Sequence, residues 1–190
     1  MHVAMSPAEK CLLGSFLSCS RRYVEFGAGG STCLAASLVS ESIISVDSSK
    51  IWLEKVSAEC SSQNMPVKPT LVHVDIGETG DWGYPVNKLK MDRWPKYHGA
   101  IWSDPGASEA DFYMVDGRFR VACFMQAVLR ARADSFIAIH DFANRSRYHV
   151  VREVAREVAV SENLSVFTRK PDFDRQRAAA ILDQHALNPG

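Results

Sequence analysis

Tyr23-Val-Glu-Phe-Gly-Ala-Gly-Gly-Ser-Thr32 decides the fold. It reads as a short apolar strand, an acid, a glycine-rich turn and the start of a helix. Glycines let the backbone turn tightly and approach a ligand closely. The helix that follows aims free N–H groups and a partial positive charge at the same point. Glu25 lies two residues before the first glycine. A carboxylate there repels a pyrophosphate and suits a ligand carrying an amino group and a positive charge.

Outward from this stretch, strands and helices alternate. Ser6-Pro-Ala-Glu9 starts a helix, with a capping serine, proline at the first turn and a capping-box acid. This N-terminal helical region is expected within residues 1–22. The expected strands are Tyr23–Phe26, Ile43–Val46, Leu71–Val74, Asp111–Val115 and Ser135–Ile139. Helices are expected over Ser31–Ser40, Ile51–Ser61, Arg118–Arg132 and Arg147–Val160. Leu164–Thr168 and Ala178–Leu182 read as two closing strands joined by a polar stretch, hence an antiparallel hairpin. The alternation predicts an α/β fold: a Rossmann-like, doubly wound, mostly parallel sheet with an antiparallel closing strand, in three αβα layers. The 190 residues suit a single domain spanning 1–190.

Such sheets bind ligands beyond the carboxyl ends of their strands, near the switch point. The chain delivers acids there: Glu25 with its glycines, then Asp47, Asp75, Asp116 and Asp141. Residues 76–110 break the pattern. They form a long insertion holding Trp82, Tyr84, Trp94, Tyr97 and Trp102, either a structural flap or a lid. Trp82 is the one expected to meet a ligand.

The glycine turn departs from a dinucleotide fingerprint, with Thr32 at the third glycine position. Asp47 follows at the distance of a ribose-binding acid. E-F-G-A-G-G-S-T followed by I-S-V-D resembles the first two motifs of class I S-adenosylmethionine-dependent methyltransferases. The resemblance extends over nearly the whole chain. It implies S-adenosylmethionine as cofactor, with Gly27, Ala28, Gly29 and Gly30 beside the methionine moiety. It implies Asp47 on the ribose and Asp75-Ile76 beside the adenine. Glu25 and Asp116 complete the expected cofactor set. Many O-methyltransferases of this type hold magnesium on an Asp-Asn pair. Here the stretch reads His140-Asp-Phe-Ala-Asn144, and a hard cation on Asp116, Asp141 and Asn144 is the less favoured reading.

His140, oriented by Asp141 and joined by Asp116, is the expected catalytic group, since methyl transfer to oxygen requires a proton acceptor. Arg118, Arg120, Arg145 and Arg147 follow the last two strand-end acids. They serve either as scaffold partners of those acids or as receptors for an anionic substrate. The expected reaction is methyl transfer to oxygen or nitrogen of a small, anionic molecule. Two alternatives stay open: a nicotinamide-dependent oxidoreductase, and a binding module that keeps the fold without catalysis.

Lys+Arg and Asp+Glu both total 22, which argues against nucleic acid or an anionic membrane as partner. The five cysteines include no C-x-x-C pair. They read as reduced thiols, and with no apolar leader or membrane span the expected location is cytoplasmic.

Overall fold

The computed structural model describes residues 1–190. Seven strands form one sheet in the order β3-β2-β1-β4-β5-β7-β6. They are β1 (Arg22–Phe26), β2 (Ser42–Asp47), β3 (Thr70–His73), β4 (Phe112–Val115), β5 (Phe136–Ile139), β6 (Ala155–Ser161) and β7 (Leu164–Arg169). The first five are parallel to one another, and β7 runs antiparallel to both β5 and β6. The strand order reverses between β1 and β4, which places the switch point beside the glycine turn.

Alternation along the strands sorts side chains onto two faces. Val24, Phe26, Tyr113, Val115, Ile137 and Ile139 point into one core, with α5 (Arg120–Arg130) and α6 (Arg175–His185). Tyr23, Phe112, Met114 and Ala138 point into the other, beneath α1 (Pro7–Ser18), α2 (Gly30–Leu38) and α3 (Lys50–Ser62). Helix α1 begins as the sequence dictates: Ser6 accepts from the Glu9 N–H and the Glu9 carboxylate accepts from the Ser6 N–H. No helix is long and apolar enough to cross a membrane.

The closing hairpin exists, but one element earlier than expected. Residues 147–160 do not form one helix: only their first half is helical. A 3-10 stretch over Ser146–Glu153 leads into β6, and a tight turn at Glu162 (φ 50°) returns the chain as β7. Tyr148, Val151, Val154 and Val158 satisfy a helical period, which hides the edge strand. The solvent face of β6 carries the exposed Val158 and Val160 in place of polar residues, so the period of two is blurred. Ala178–Leu182 is helix, not strand. It lies within α6, where Asp174 accepts from the N–H groups of Gln176 and Arg177.

The 76–110 insertion is mostly a flap. It runs through short 3-10 turns and α4 (Pro95–Gly99), and it buries Trp94, Tyr97 and Ile101 in the α5-side core. The Trp94 indole N–H donates to the Ile76 carbonyl at 3.0 Å. Only the turn Gly80–Tyr84 overhangs the sheet edge, with Trp82 83% exposed.

Candidate functional site

The tip of β1 is built from backbone in close contact. Gly27 has φ 105°, and a Cβ on it would lie 2.5 Å from Gly117 at the tip of β4. Only glycine fits this approach. A side chain on Gly30 would collide with the His2 carbonyl, because residues 2–3 lie across the start of α2. Around Gly29 the space is open, with Trp52 Nε1 the nearest atom at 3.9 Å from an added Cβ. The Ala28 carbonyl accepts from that indole N–H at 2.6 Å, which fixes the turn against α3.

Glu25 does not face this turn. It alternates with Val24 and Phe26, so it projects with Tyr23 beneath α2. There it is fully buried and accepts hydrogen bonds from Ser31, Thr32 and Ser45. Burial outweighs these hydroxyls and pushes its carboxyl up to about 7. The Tyr23 hydroxyl is buried close enough to feel the charge, but outside hydrogen-bond geometry. Thr32 also accepts from the Gly29 N–H at 2.9 Å. Glu25 thus holds the first turn of α2 to the sheet, in place of the expected ligand contact.

Asp47 at the tip of β2 is partly exposed, and its Oδ1 accepts from the Ser49 N–H at 2.8 Å. Burial raises its pKa against the lowering effect of the Ser49, Ser48 and Ala28 N–H groups. Asp75 and Ile76, the residues expected beside the adenine, differ in exposure. Asp75 is exposed and ion-paired to Lys90 and Arg93, at 2.9 and 2.6 Å. The Lys90 hydrogen bond leads the lowering of its carboxyl to about 2. The Ile76 side chain is buried in the core.

The tips of β4 and β5 hold the charged part of the site. A cavity of about 360 Å³ opens between them and the Gly80–Tyr84 turn. Its walls include Asp116 and Arg118 from the segment after β4, His140, Asp141 and Arg145 from the segment after β5, and Trp82 and Tyr84 from the turn. His140 Nδ1 donates to Asp116 Oδ1 at 3.0 Å, and its Nε2 lies 3.5 Å from Glu9 Oε1 on α1. Burial opposes a charge on the ring, but the hydrogen bond and charge of Asp116, then Asp141 and Glu9, outweigh it and raise its pKa. The same hydrogen bond leads the forces that keep Asp116 below its ordinary value despite burial. Asp141 has φ 57°, an uncommon conformation for a non-glycine residue that clusters at functional sites.

The four arginines separate into distinct roles. Arg120 is scaffold: 4% exposed, it lies 3.1 Å from both Asp116 and Asp141 and donates to the carbonyls of Gly117 and His140. Arg145 pairs with Asp141 at 2.8 Å and donates to the Tyr148 hydroxyl. Arg147 is exposed, over the Tyr148 ring. Arg118 precedes α5 rather than beginning it. Phe119, at φ 54°, turns the chain between the two. The Arg118 guanidinium lies over the Tyr84 ring at 4.3 Å, with Nε and Nη1 buried and unpartnered.

Asp116, His140 and Asp141 bring ligand atoms within 4.8 Å of one another. This cluster does not fit a divalent cation. Arg120 already spans the two carboxylates, and Asn144, which would add an oxygen, is exposed. Sequence reasoning missed Glu9, Tyr84 and residues 2–4 as parts of the site. Nothing local marks them, because α1, the insertion and the N-terminal segment meet there only in the fold.

Gly83 (φ 74°) sits between the tips of β2 and β4. A Cβ on it would lie 3.5 Å from Ser48 Oγ and 3.9 Å from Arg118 Cγ. The Gly80–Tyr84 turn therefore reaches from the end of β2 to the end of β4.

No family model matches the chain, and no curated protein matches it. Solved structures do. A methyltransferase-like protein from Silicibacter pomeroyi aligns over 99% of this chain and 98% of its own, at 29% identity and TM-score 0.90. An O-methyltransferase from Bacillus cereus, solved with SAH, covers 87% of this chain and 82% of its own, at 14% identity and TM-score 0.56. An RNA methyltransferase from Salinibacter ruber, in complex with S-adenosyl-L-homocysteine, covers 91% and 97% at 12% identity and TM-score 0.55. The last two share the fold.

Proposed function

We propose that this chain, which carries the class I methyltransferase fold, transfers a methyl group from S-adenosylmethionine to an oxygen or nitrogen of a small molecule. The observation that supports this most is the tip of β1. The glycine turn leaves free space at Gly29, with a partly exposed Asp47 beside it, although residues 2–3 lie across the start of α2. These residues fit an adenosyl cofactor. Gly27–Gly30 would lie along its methionine end, and Asp47 would take the ribose hydroxyls. When bound, the cofactor supplies a methyl group activated on a sulfonium.

The chain's own residues then position the acceptor and manage its proton. The Gly80–Tyr84 turn, which walls the cavity, excludes water from the bound molecules. The cavity between β4 and β5 holds the acceptor. His140, paired with Asp116, takes the acceptor's proton. Its raised pKa keeps it protonated in the acid range, so the pair works above that value. Asp141 orients Arg120 and Arg145 around the cavity wall.

The nicotinamide reading is disfavoured by topology: the strand beside β5 is antiparallel, whereas the dinucleotide sheet continues in parallel. The zero net charge supports a small acceptor. Since an RNA methyltransferase shares the fold, RNA is tested alongside. A non-catalytic module is supported by one observation, the N-terminal segment that lies across the start of α2.

Calorimetry with S-adenosylhomocysteine and with NADH tests the cofactor. The adenosyl ligand binds, NADH does not, and Asp47→Ala weakens binding about tenfold or more through lost hydrogen bonds. No adenosyl binding at millimolar concentration overturns the reading. Methyl-labelled cofactor incubated with a metabolite extract and with total RNA then reads turnover. Binding without label transfer to either selects the non-catalytic module.

A further inference from the structure

We propose that Arg118 anchors an oxyanion, carboxylate or phosphate, on the molecule that fills the cavity at the tips of β4 and β5. Calling that molecule the methyl acceptor rests on the function proposed above; the anion anchor itself does not.

Charge accounting isolates this one residue. Arg120 is matched by Asp116 and Asp141, and Arg145 by Asp141. His140 lies between Asp116 and Glu9. Arg118 has no acid within ion-pair distance, although the residue is only 6% exposed. Its Nε and Nη1 are buried without a hydrogen-bond partner, and it lines the cavity. An unpaired buried charge is among the most costly features a fold can carry. A water molecule would satisfy an N–H group but add no negative charge to that of Asp116, which acts from beyond ion-pair distance.

The geometry says where the partner enters. Tyr84 covers one face of the guanidinium at 4.3 Å. The N–H bonds lie in the guanidinium plane, so the ring leaves them free, and an acceptor must approach the edge. Phe119 in its left-handed conformation holds Arg118 out of α5, so the side chain reaches the cavity rather than the helix surface. Tyr84 and Trp82 belong to the turn that overhangs the site. The aromatic wall suits a ring-bearing anion.

Calorimetry with benzoate, phenyl phosphate and the neutral benzamide tests this on the intact chain. Wild type is expected to bind at least one of the two anions about tenfold more tightly than benzamide, in keeping with a charge-assisted hydrogen bond. Arg118→Met abolishes the preference, Arg118→Lys keeps part of it, and Arg147→Ala leaves it unchanged. Whichever anion shows the larger preference names the source. Equal binding of anions and benzamide, no binding of either anion, or a preference that survives in Arg118→Met overturns the proposal. So does a tenfold loss of S-adenosylhomocysteine affinity in Arg118→Met, which would give the guanidinium to the cofactor's own carboxylate. Should Arg118→Met fail to fold, the wild-type preference and the Lys variant still decide. Wild-type binding of S-adenosylhomocysteine without an anion preference sinks only the anchor. An anion preference without adenosyl binding sinks only the methyltransferase reading.

Discussion

The tips of β1–β2 and of β4–β5 lie at one edge of one sheet, yet they solve opposite problems. At β1 the acid is turned inward: Glu25 is buried under α2 among hydroxyls, and the ligand-facing surface is backbone. At β4–β5 the acids stay at the rim, and arginines and a histidine converge on them. The cause is position along the strand. Glu25 lies inside β1, one residue before its end, where alternation fixes its direction. Asp116 and Asp141 lie one and two residues beyond the last paired residues of β4 and β5, free of the pleat. Among these three, the acid held in the pleat is buried and the two that clear it stay at the rim.

The largest effect that tests this contrast comes from the charged tip. Arg120→Met removes the buried cation shared by Asp116 and Asp141, together with its bonds to the Gly117 and His140 carbonyls, and destabilises the chain by about 3–5 kcal/mol, read by urea denaturation. A loss under about 1 kcal/mol would deny Arg120 its scaffold role. At the glycine tip, Glu25→Ala removes the shared acceptor of three buried hydroxyls and costs about 2–3 kcal/mol. Glu25→Gln costs less, because the native carboxyl is already half protonated near neutrality.

The two tips also respond differently to pH. Glu25 titrates at about 7 in the fold against 4.5 in the free group, so the native state holds the proton longer. Its contribution to stability falls as pH rises from 4.5 to about 7, by about 3 kcal/mol, and is flat above. Glu25→Gln should flatten that slope in denaturation midpoints taken across the window. His140 also favours low pH: its contribution is full below 6.5 and lost as pH rises through its raised pKa. Asp116 and Glu9 act oppositely, being lowered, and lose their contribution as pH falls below the ordinary carboxylate range. In turnover, the rate should rise with pH through a value above 6.5, and Asp116→Asn should move that limb down. A limb unmoved in the variant removes His140 from proton transfer. The smallest effects belong to the exposed rim. Arg147→Ala and Trp82→Ala should leave stability within about 0.5 kcal/mol of wild type.

How much was legible follows the same divide. The glycine turn, Asp47 and the five parallel strands were readable because each signal is local, carried by a few adjacent residues. Glu25 was misplaced because its partners Ser31, Thr32 and Ser45 come from two other elements. The ion pairs of Asp75 were not legible, because Lys90 and Arg93 fold back onto it from the insertion. The closing hairpin was anticipated but misassigned. Edge strand β6 exposes Val158 and Val160, so burial does not enforce the polar alternation that marks a strand. Helix α6 carried a usable sign in its capping Asp174 and alanine run.

By itself the sequence determined the layered α/β plan and the glycine turn at Gly27–Gly30. Those depend on periodicity and turn chemistry, which act over a few residues. Only the tertiary structure decided which charges cancel. Arg120 meets its acids, Arg147 is exposed, and Arg118 is left buried and unpaired beneath Tyr84. An ion pair depends on distances of a few ångströms between residues far apart in the chain, and no local pattern encodes them.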